Sequence, residues 1–251
     1  MQSPIKTTKT GSFHLKPTPI SVASTDTPAA PSQKPWSAME AKILEAARQL
    51  IADEGYHNFS MRGVAQKSGI HLKSLQYYFR TKQDMSTSVV NYTIEKYYFE
   101  TYDKMFAEKQ AITPRERFAV MLDHLLADLS DPFTARLFPE LWALANHDED
   151  VAAALDLFYV RHIASIEKMV VVLNPKLPTD VAMHRASLVA MMIEGLVLIL
   201  GHGKKKRAEY AGLLSAAKET ILRMVMLPML NAPKLTTPIK SKARRVTRSR
   251  K

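Results

Sequence analysis

Not one of the 251 residues is cysteine, which excludes disulfide frameworks, thiolate metal sites and cysteine nucleophiles. Glycine is scarce, at 8 residues, and no segment alternates apolar and polar residues with a period of two. Both shortages disfavour a turn-rich β architecture and favour long helices. The sequence also lacks the glycine-rich loops that cradle phosphates, the GxSxG nucleophile turn and the HExxH zinc helix. Its eight histidines are scattered, with no close pair suited to a metal. Asp148, Glu149 and Asp150 read as the solvated start of a helix and not as a catalytic set. No enzymatic activity, cofactor or metal is therefore expected.

A secretory signal is not expected either, because Lys6 and Lys9 lead into Thr, Pro and Ser and not into an apolar run. The most apolar stretch, Ala186 to Gly201, carries Glu194 and falls short of the about 20 residues a membrane span needs. It is expected to be a helix buried on most of its faces, in a cytoplasmic protein with no membrane partner.

Acidic residues are scarce at the ends of the chain, one Asp in residues 1–35 and none in 228–251. The net charge of +11 divides into +3 over residues 1–35, +8 over 228–251 and zero over 36–227. Residues 1–36 and 231–251 are expected to be disordered, being too poor in large apolar side chains to offset the entropy of ordering. The basic end has two open readings, an electrostatic arm for nucleic acid or a solubilising tail. Inside the balanced body, residues 58–82 hold Arg62, Lys67, Lys73, Arg80 and Lys82 and no acid. A local patch of that kind says more about partners than the overall charge does.

Start and stop signals divide the chain into about nine helices, an all-α fold. Ser37 with Glu40 has the form of a capping box, and Ile43, Ala47, Leu50 and Ile51 follow at helical spacing until Gly55. Ser60 caps a short second helix through Lys67, Gly69 breaks the chain, and a third runs from Leu72 to Phe79. Thr81 with Asp84 opens a fourth that reaches toward Lys109. Thr113-Pro114 and Asp131-Pro132 start the fifth and sixth. The seventh spans Asp150 to Leu173, the eighth runs from Thr179 to Gly201, Lys204 to Arg207 form a loop, and the ninth covers Ala208 to Leu227.

Two short helices meeting at Gly69, with Ala65 small and Val64, Ile70 and Leu75 facing inward, form a helix-turn-helix. The helix after the turn offers Lys73, Ser74, Gln76 and Tyr77 outward, side-chain types that reach base edges or phosphates in a major groove. Tyr77 could equally be a packing residue, and Arg62 and Lys73 taken singly could be merely solvated. Lys82 sits at a helix start, where the dipole disfavours a cation unless a phosphate binds there too.

The run Ser60-Met61-Arg62-Gly63-Val64-Ala65, then Ser68-Gly69-Ile70, then Ser74-Leu75-Gln76-Tyr77-Tyr78-Phe79-Arg80-Thr81-Lys82, resembles the signature of the TetR/AcrR family of transcriptional regulators. The likeness covers about residues 38–85. It implies phosphate contacts from Ser60, Tyr78 and Lys82, and base or backbone contacts from Arg62, Lys73 and Ser74. Gln76 stands where many members have Tyr, and Tyr78 where many have His, which bears on operator preference.

The resemblance divides the chain into a helix-turn-helix DNA-binding domain at 37–82 and a helical ligand-binding and dimerisation domain at 83–230. Within the second, Phe138-Pro139-Glu140-Leu141-Trp142 and Met192-Ile193-Glu194-Gly195-Leu196 are the most family-like pieces. The family's architecture implies a dimer made by the last two helices. The eighth is apolar around most of its circumference, more than one subunit is expected to bury. Val189, Ile193, Leu196 and Leu200, with Leu214, Ile221, Leu222 and Val225 of the ninth, are the expected interface. A pocket between helices four and eight is expected to draw on Tyr98, Phe106, Leu122, Leu125, Phe138, Trp142, Phe158, His162, Met191 and Glu194, apolar walls with a few polar anchors.

The expected function is that of a homodimeric repressor, released from a palindromic double-stranded operator by a small, largely apolar ligand. The alternative is a DNA-binding protein of the same fold that answers to a protein partner. Repression and activation differ only in where the operator lies.

Overall fold

The computed structural model describes residues 35–101, 113–201 and 208–228. The expected tails (34 residues at one end, 231–251 at the other), Phe106, the approach to Lys109 and the loop Lys204 to Arg207 lie outside the described residues. Among the described residues there are nine α-helices and no strands: α1 (Ala38–Asn58), α2 (Met61–Ser68), α3 (Leu72–Tyr78), α4 (Lys82–Thr93), α5 (Pro114–Ser130), α6 (Thr134–Ala145), α7 (Glu149–Leu173), α8 (Thr179–Leu200) and α9 (Leu213–Met226).

The caps written in the sequence form. Ser37 and Glu40, Thr81 and Asp84, and Thr113 and Glu116 each exchange side-chain and backbone hydrogen bonds in capping boxes. Asp148 caps α7 by accepting from the Asp150 and Val151 amides. Two starts differ from expectation. Asp131 accepts from the Phe133 and Thr134 amides in a turn, so Pro132 precedes α6 instead of opening it. Ala208 to Tyr210 make a short 3-10 turn, and α9 begins only after Gly212 takes a left-handed conformation. Trp36 is part of the folded body, its ring 6.4 Å from that of Tyr92.

Helix α1 is the hub. The α1–α2–α3 head closes around Leu50, Phe59, Val64, Leu75 and Phe79, all buried, with Ile70 packed beside them. The opposite side of α1 packs on α4 and α6. Arg48 of α1 is buried there, paired to Glu45 at 2.9 Å and stacked over the rings of Tyr97 and Phe133 at 3.9 and 4.2 Å. The same core continues into α5, α7 and α8 through Phe118, Leu122, Phe158, Ile166 and Val189. At its end α4 runs without interruption into a π-helical turn, Ile94–Phe99, the wider geometry that often marks a functional site.

Helix α8 is less covered than its composition suggested. It is long and apolar enough to cross a bilayer by length and composition, yet only 33% of its most apolar window is buried. Leu188, Met191, Leu198 and Ile199 face outward, at 43–67% exposure. The expected interface set needs correction on the same ground. Val189, Ile193, Leu196, Ile221 and Val225 are all buried within one subunit, so they hold α8 and α9 onto their own core. Leu200, Leu214 and Leu222 are half-buried and pack at the edge of that core. The helical period turns one stripe of α8 inward and leaves the next stripe open.

Gly69 ends α2 at φ 71° with no atom within 4 Å of where a Cβ would stand. Its requirement is therefore conformational and not steric. Gly69→Ala should lower unfolding free energy by about 1 kcal/mol, and Gly69→Asn by less, because Asn tolerates the left-handed region. Thermal or urea unfolding of the two variants checks this.

Candidate nucleic-acid interface and regulatory cleft

The helix-turn-helix presents one continuous polar face. Ser60 caps α2 by accepting from the Gly63 amide at 3.1 Å, which leaves its hydroxyl proton free to donate outward. Ser68 donates back to the Val64 carbonyl at 2.7 Å and the Gly69 amide closes the turn, so α3 is held at a fixed angle to α2. Leu75 and Phe79 anchor α3 on its inner side. Arg62, Lys73, Ser74 and Gln76 are exposed. Tyr77 is 85% exposed, so packing is not its role within the subunit, and Tyr78 meets it edge-on at 5.3 Å.

Lys82 is supported in a way the sequence did not reveal. Its ammonium lies 4.3 Å from the centre of the Tyr56 ring and 5.5 Å from that of Phe59, an attraction that offsets the unfavourable helix dipole. Partial burial lowers its pKa from the ordinary lysine value. The aromatic pair, 5.5 Å apart and stacked, thus places a cation at the start of α4.

The head is tied to the rest at the break in α1. Gly55 adopts φ 78°, and just past it the Tyr56 amide donates to the Glu140 carboxylate of α6 at 2.8 Å. Arg136 pairs with Asp53 at 3.2 Å and Tyr97 donates to Glu45 at 2.8 Å. Nothing in the helical periodicity pointed to Glu140, although it lies inside one of the family-like pieces.

The second half contains a narrow cleft lined by Tyr98, Leu125, Asp128, Thr134, Phe138, His162, Ile193, Glu194 and Val197. It encloses about 330 Å³ when space shared with solvent is included. Of the expected lining, the structure brings Tyr98, Leu125, Phe138, His162 and Glu194 together there. Phe158 and Trp142 stand behind the wall, Phe158 stacked on His162 at 5.4 Å and Trp142 edge-on to Phe138 at 6.0 Å. Leu122 is fully buried core, away from the cleft lining. Met191 does not belong to the pocket, because at 60% exposure it points off the outer face of α8. Asp128 and Thr134 were missed. The signal was available, since Asp128 continues the inward stripe of Phe118, Met121, Leu122 and Leu125, where an apolar residue belongs.

The polar groups are locked in place. Asp128 accepts from Tyr98 at 2.8 Å and from Thr134 at 3.1 Å. Trp142 donates to the Tyr159 hydroxyl at 2.8 Å, and Tyr159 bonds Glu194 in turn. Burial, with the Asp128 charge adding to it, pushes Glu194 up to about 7. Burial pushes His162 down to about 4.

Known proteins place this arrangement. Residues 43–89 match the family described as bacterial regulatory proteins, tetR family. Residues 43–89 thus carry the helix-turn-helix of the tetR-family regulatory proteins. The chain is 27% identical over 157 residues to the HTH-type transcriptional regulator BetI of Rhizobium meliloti (strain 1021), covering 62% of this chain and 74% of that one. It is 28% identical over 159 residues to an uncharacterized HTH-type regulator encoded in the dhlA 5' region of Xanthobacter autotrophicus, covering 61% and 75%. Among solved structures, a TetR regulator from Haloarcula marismortui superposes with a TM-score of 0.61 at 18% identity, covering 76% of this chain and 97% of the other. A transcriptional regulator from Saccharomonospora viridis in complex with choline gives 0.57 at 20% identity, covering 72% and 91%. These structures share the TetR fold.

The raised pKa of Glu194 makes a stability prediction. Between pH 4.5 and about 7 the folded chain retains a proton that the unfolded chain gives up, so this group's contribution to stability falls as pH rises through that window. Glu194→Gln should match wild type near pH 4.5 and exceed it by about 2–3 kcal/mol at pH 8. Thermal unfolding at both pH values measures the difference.

Proposed function

We propose that this protein is a cytoplasmic, homodimeric TetR-type repressor, with residues 37–82 reading a palindromic operator and residues 83–230 sensing a small molecule and holding the dimer. The observation that carries this reading is one helix joining the two jobs. Lys82 at the start of α4 stands on the DNA side, and Tyr98, on the π-helical turn that continues it, lines the cleft. A ligand that prefers one setting of the cleft wall then biases the setting of the head, and operator affinity falls by the difference in binding energy.

In this reading Lys73, Ser74 and Gln76 face base edges, with Arg62 flanking them. Ser60, Tyr77 and Tyr78, all exposed, hold phosphates together with the half-buried Lys82. Two such heads occupy successive major grooves about 34–36 Å apart. The dimer face is the open side of α8. Leu188, Met191 and Leu198 form a stripe with Gly195, whose absent side chain meets no atom within 4 Å and lets a second helix come close. Exposed Met226 and Leu227 at the end of α9 extend it. A stripe of this size left in water is a reason for a subunit to pair.

The Saccharomonospora viridis regulator with choline is a precedent for a small molecule held by this fold. The enclosed part of the present cleft has room for about one water, which favours the second reading, control by a protein partner with the cleft filled by side chains. A thermal shift with any small ligand separates the two.

Operator selection from genomic DNA with purified protein should return a palindrome. Lys73→Ala should cost about 1–3 kcal/mol and relax preference at one position, whereas Lys82→Ala should weaken all sites alike and reduce the salt dependence. Binding that is sequence-blind and lost at physiological salt would sink the repressor reading. Leu198→Glu should give a folded monomer in sedimentation and lower operator affinity at least tenfold, as expected if two heads must bind together.

A further inference from the structure

Two carboxylates from different helices, Asp128 of α5 and Glu194 of α8, line one cleft, and among its described lining residues none is lysine or arginine. The imidazole of His162, also in the lining, is held neutral by burial and supplies no positive charge at physiological pH. Such a negative pair inside an apolar surround is unfavourable until a cation joins it. The rise of Glu194 to about 7 expresses that, since the site resists its second charge.

Of the remaining lining, Tyr98 and Phe138 are aromatic and Leu125, Ile193 and Val197 are aliphatic. Tyr98 lies edge-on to Phe138 at 5.6 Å and to Phe158 at 5.0 Å, and Trp142 flanks Phe138. Ring faces attract desolvated cations and repel anions. Asp128 is fixed by the Tyr98 and Thr134 hydroxyls, both neutral donors, so its orientation is set without its charge being cancelled. A metal ion is a poor fit, because among the described residues no three His, Asp or Glu side chains converge closely enough to hold one. An anion would meet two carboxylates, and a neutral apolar molecule would bury them with their charge unanswered.

We infer that the cleft takes a small organic ammonium cation, its charge seated between Asp128 and Glu194 and its apolar part against the Tyr98 and Phe138 rings. This rests on the ligand-responsive reading of the cleft and names the class of ligand. The enclosed space holds about one water, so the ring walls must move apart to admit the cation's apolar part.

The test is a charge series of one shape, hexylammonium, hexanol and hexanoate, with hexyltrimethylammonium as a quaternary member. Binding to the full-length dimer is measured by calorimetry at pH 8, where Glu194 is ionised. One or both cations should bind at least tenfold more tightly than hexanol, and hexanoate should not bind. Glu194→Gln and Asp128→Asn should each weaken the cation at least tenfold while leaving hexanol unchanged. Equal affinity for hexanol, preference for hexanoate, no binding by any member, or cation affinity that survives both substitutions would overturn the inference. Operator release, measured in parallel, separates this from the reading beneath it. A cation that binds without changing operator affinity supports the site and removes ligand control; release by hexanol alone does the reverse.

Discussion

Because Lys82 and Tyr98 lie on one uninterrupted helical stretch, the DNA side and the cleft cannot be moved independently. About 1.5 Å of rise per residue makes that stretch a rod of about 24 Å between the two side chains. It is pinned at both ends. The Thr81–Asp84 box and the Tyr56–Phe59 ring pair fix its start, and the Tyr98–Asp128 hydrogen bond fixes its finish. The head–body junction reinforces the constraint through Arg48 between two rings and the Glu140 carboxylate on the Tyr56 amide. A packed body with such ties has few ways to rearrange, and those it has are concerted.

The cleft sets polar preference against packing. Four of its nine lining side chains are aliphatic or phenyl groups, and the carboxylates among them are tolerated because each has a neutral donor, Tyr98 and Thr134 on one side and Tyr159 on the other. A donor without charge orients a carboxylate and leaves its field in place. The pair therefore costs stability, which a bound cation would restore under the proposed reading.

Local chemistry made much of this fold legible in the sequence. The Ser37–Glu40 and Thr81–Asp84 boxes, the Ser60 cap, the left-handed turn at Gly69 and the inward Val64 and Leu75 are all decided within a few residues of chain, so spacing alone located them. The outward set Lys73, Ser74, Gln76 and Tyr77 followed from the same period. What escaped the sequence depends on partners distant in the chain. Met191 and Ile193, both apolar, point to opposite sides of α8, and only the packing of that helix on α7 decides which of them is buried. The pairing of Asp128 with Glu194 spans α5 and α8, and the Glu140 bond to Tyr56 spans 84 residues. Lys82 was singled out for its position, but its aromatic seat came only with the fold.

The central claim is that the state of the cleft sets the spacing of two DNA-reading heads. The chain has no cysteine, so Gln66→Cys, on an exposed position of α2, gives one spin label per subunit and one distance across the dimer by pulsed electron resonance. Bound to operator, the distribution should be narrow and compatible with recognition helices about 34–36 Å apart. Filling the cleft should shift it by several ångströms. A distribution that stays the same with the cleft empty or filled, or no dipolar signal at all, would contradict the account.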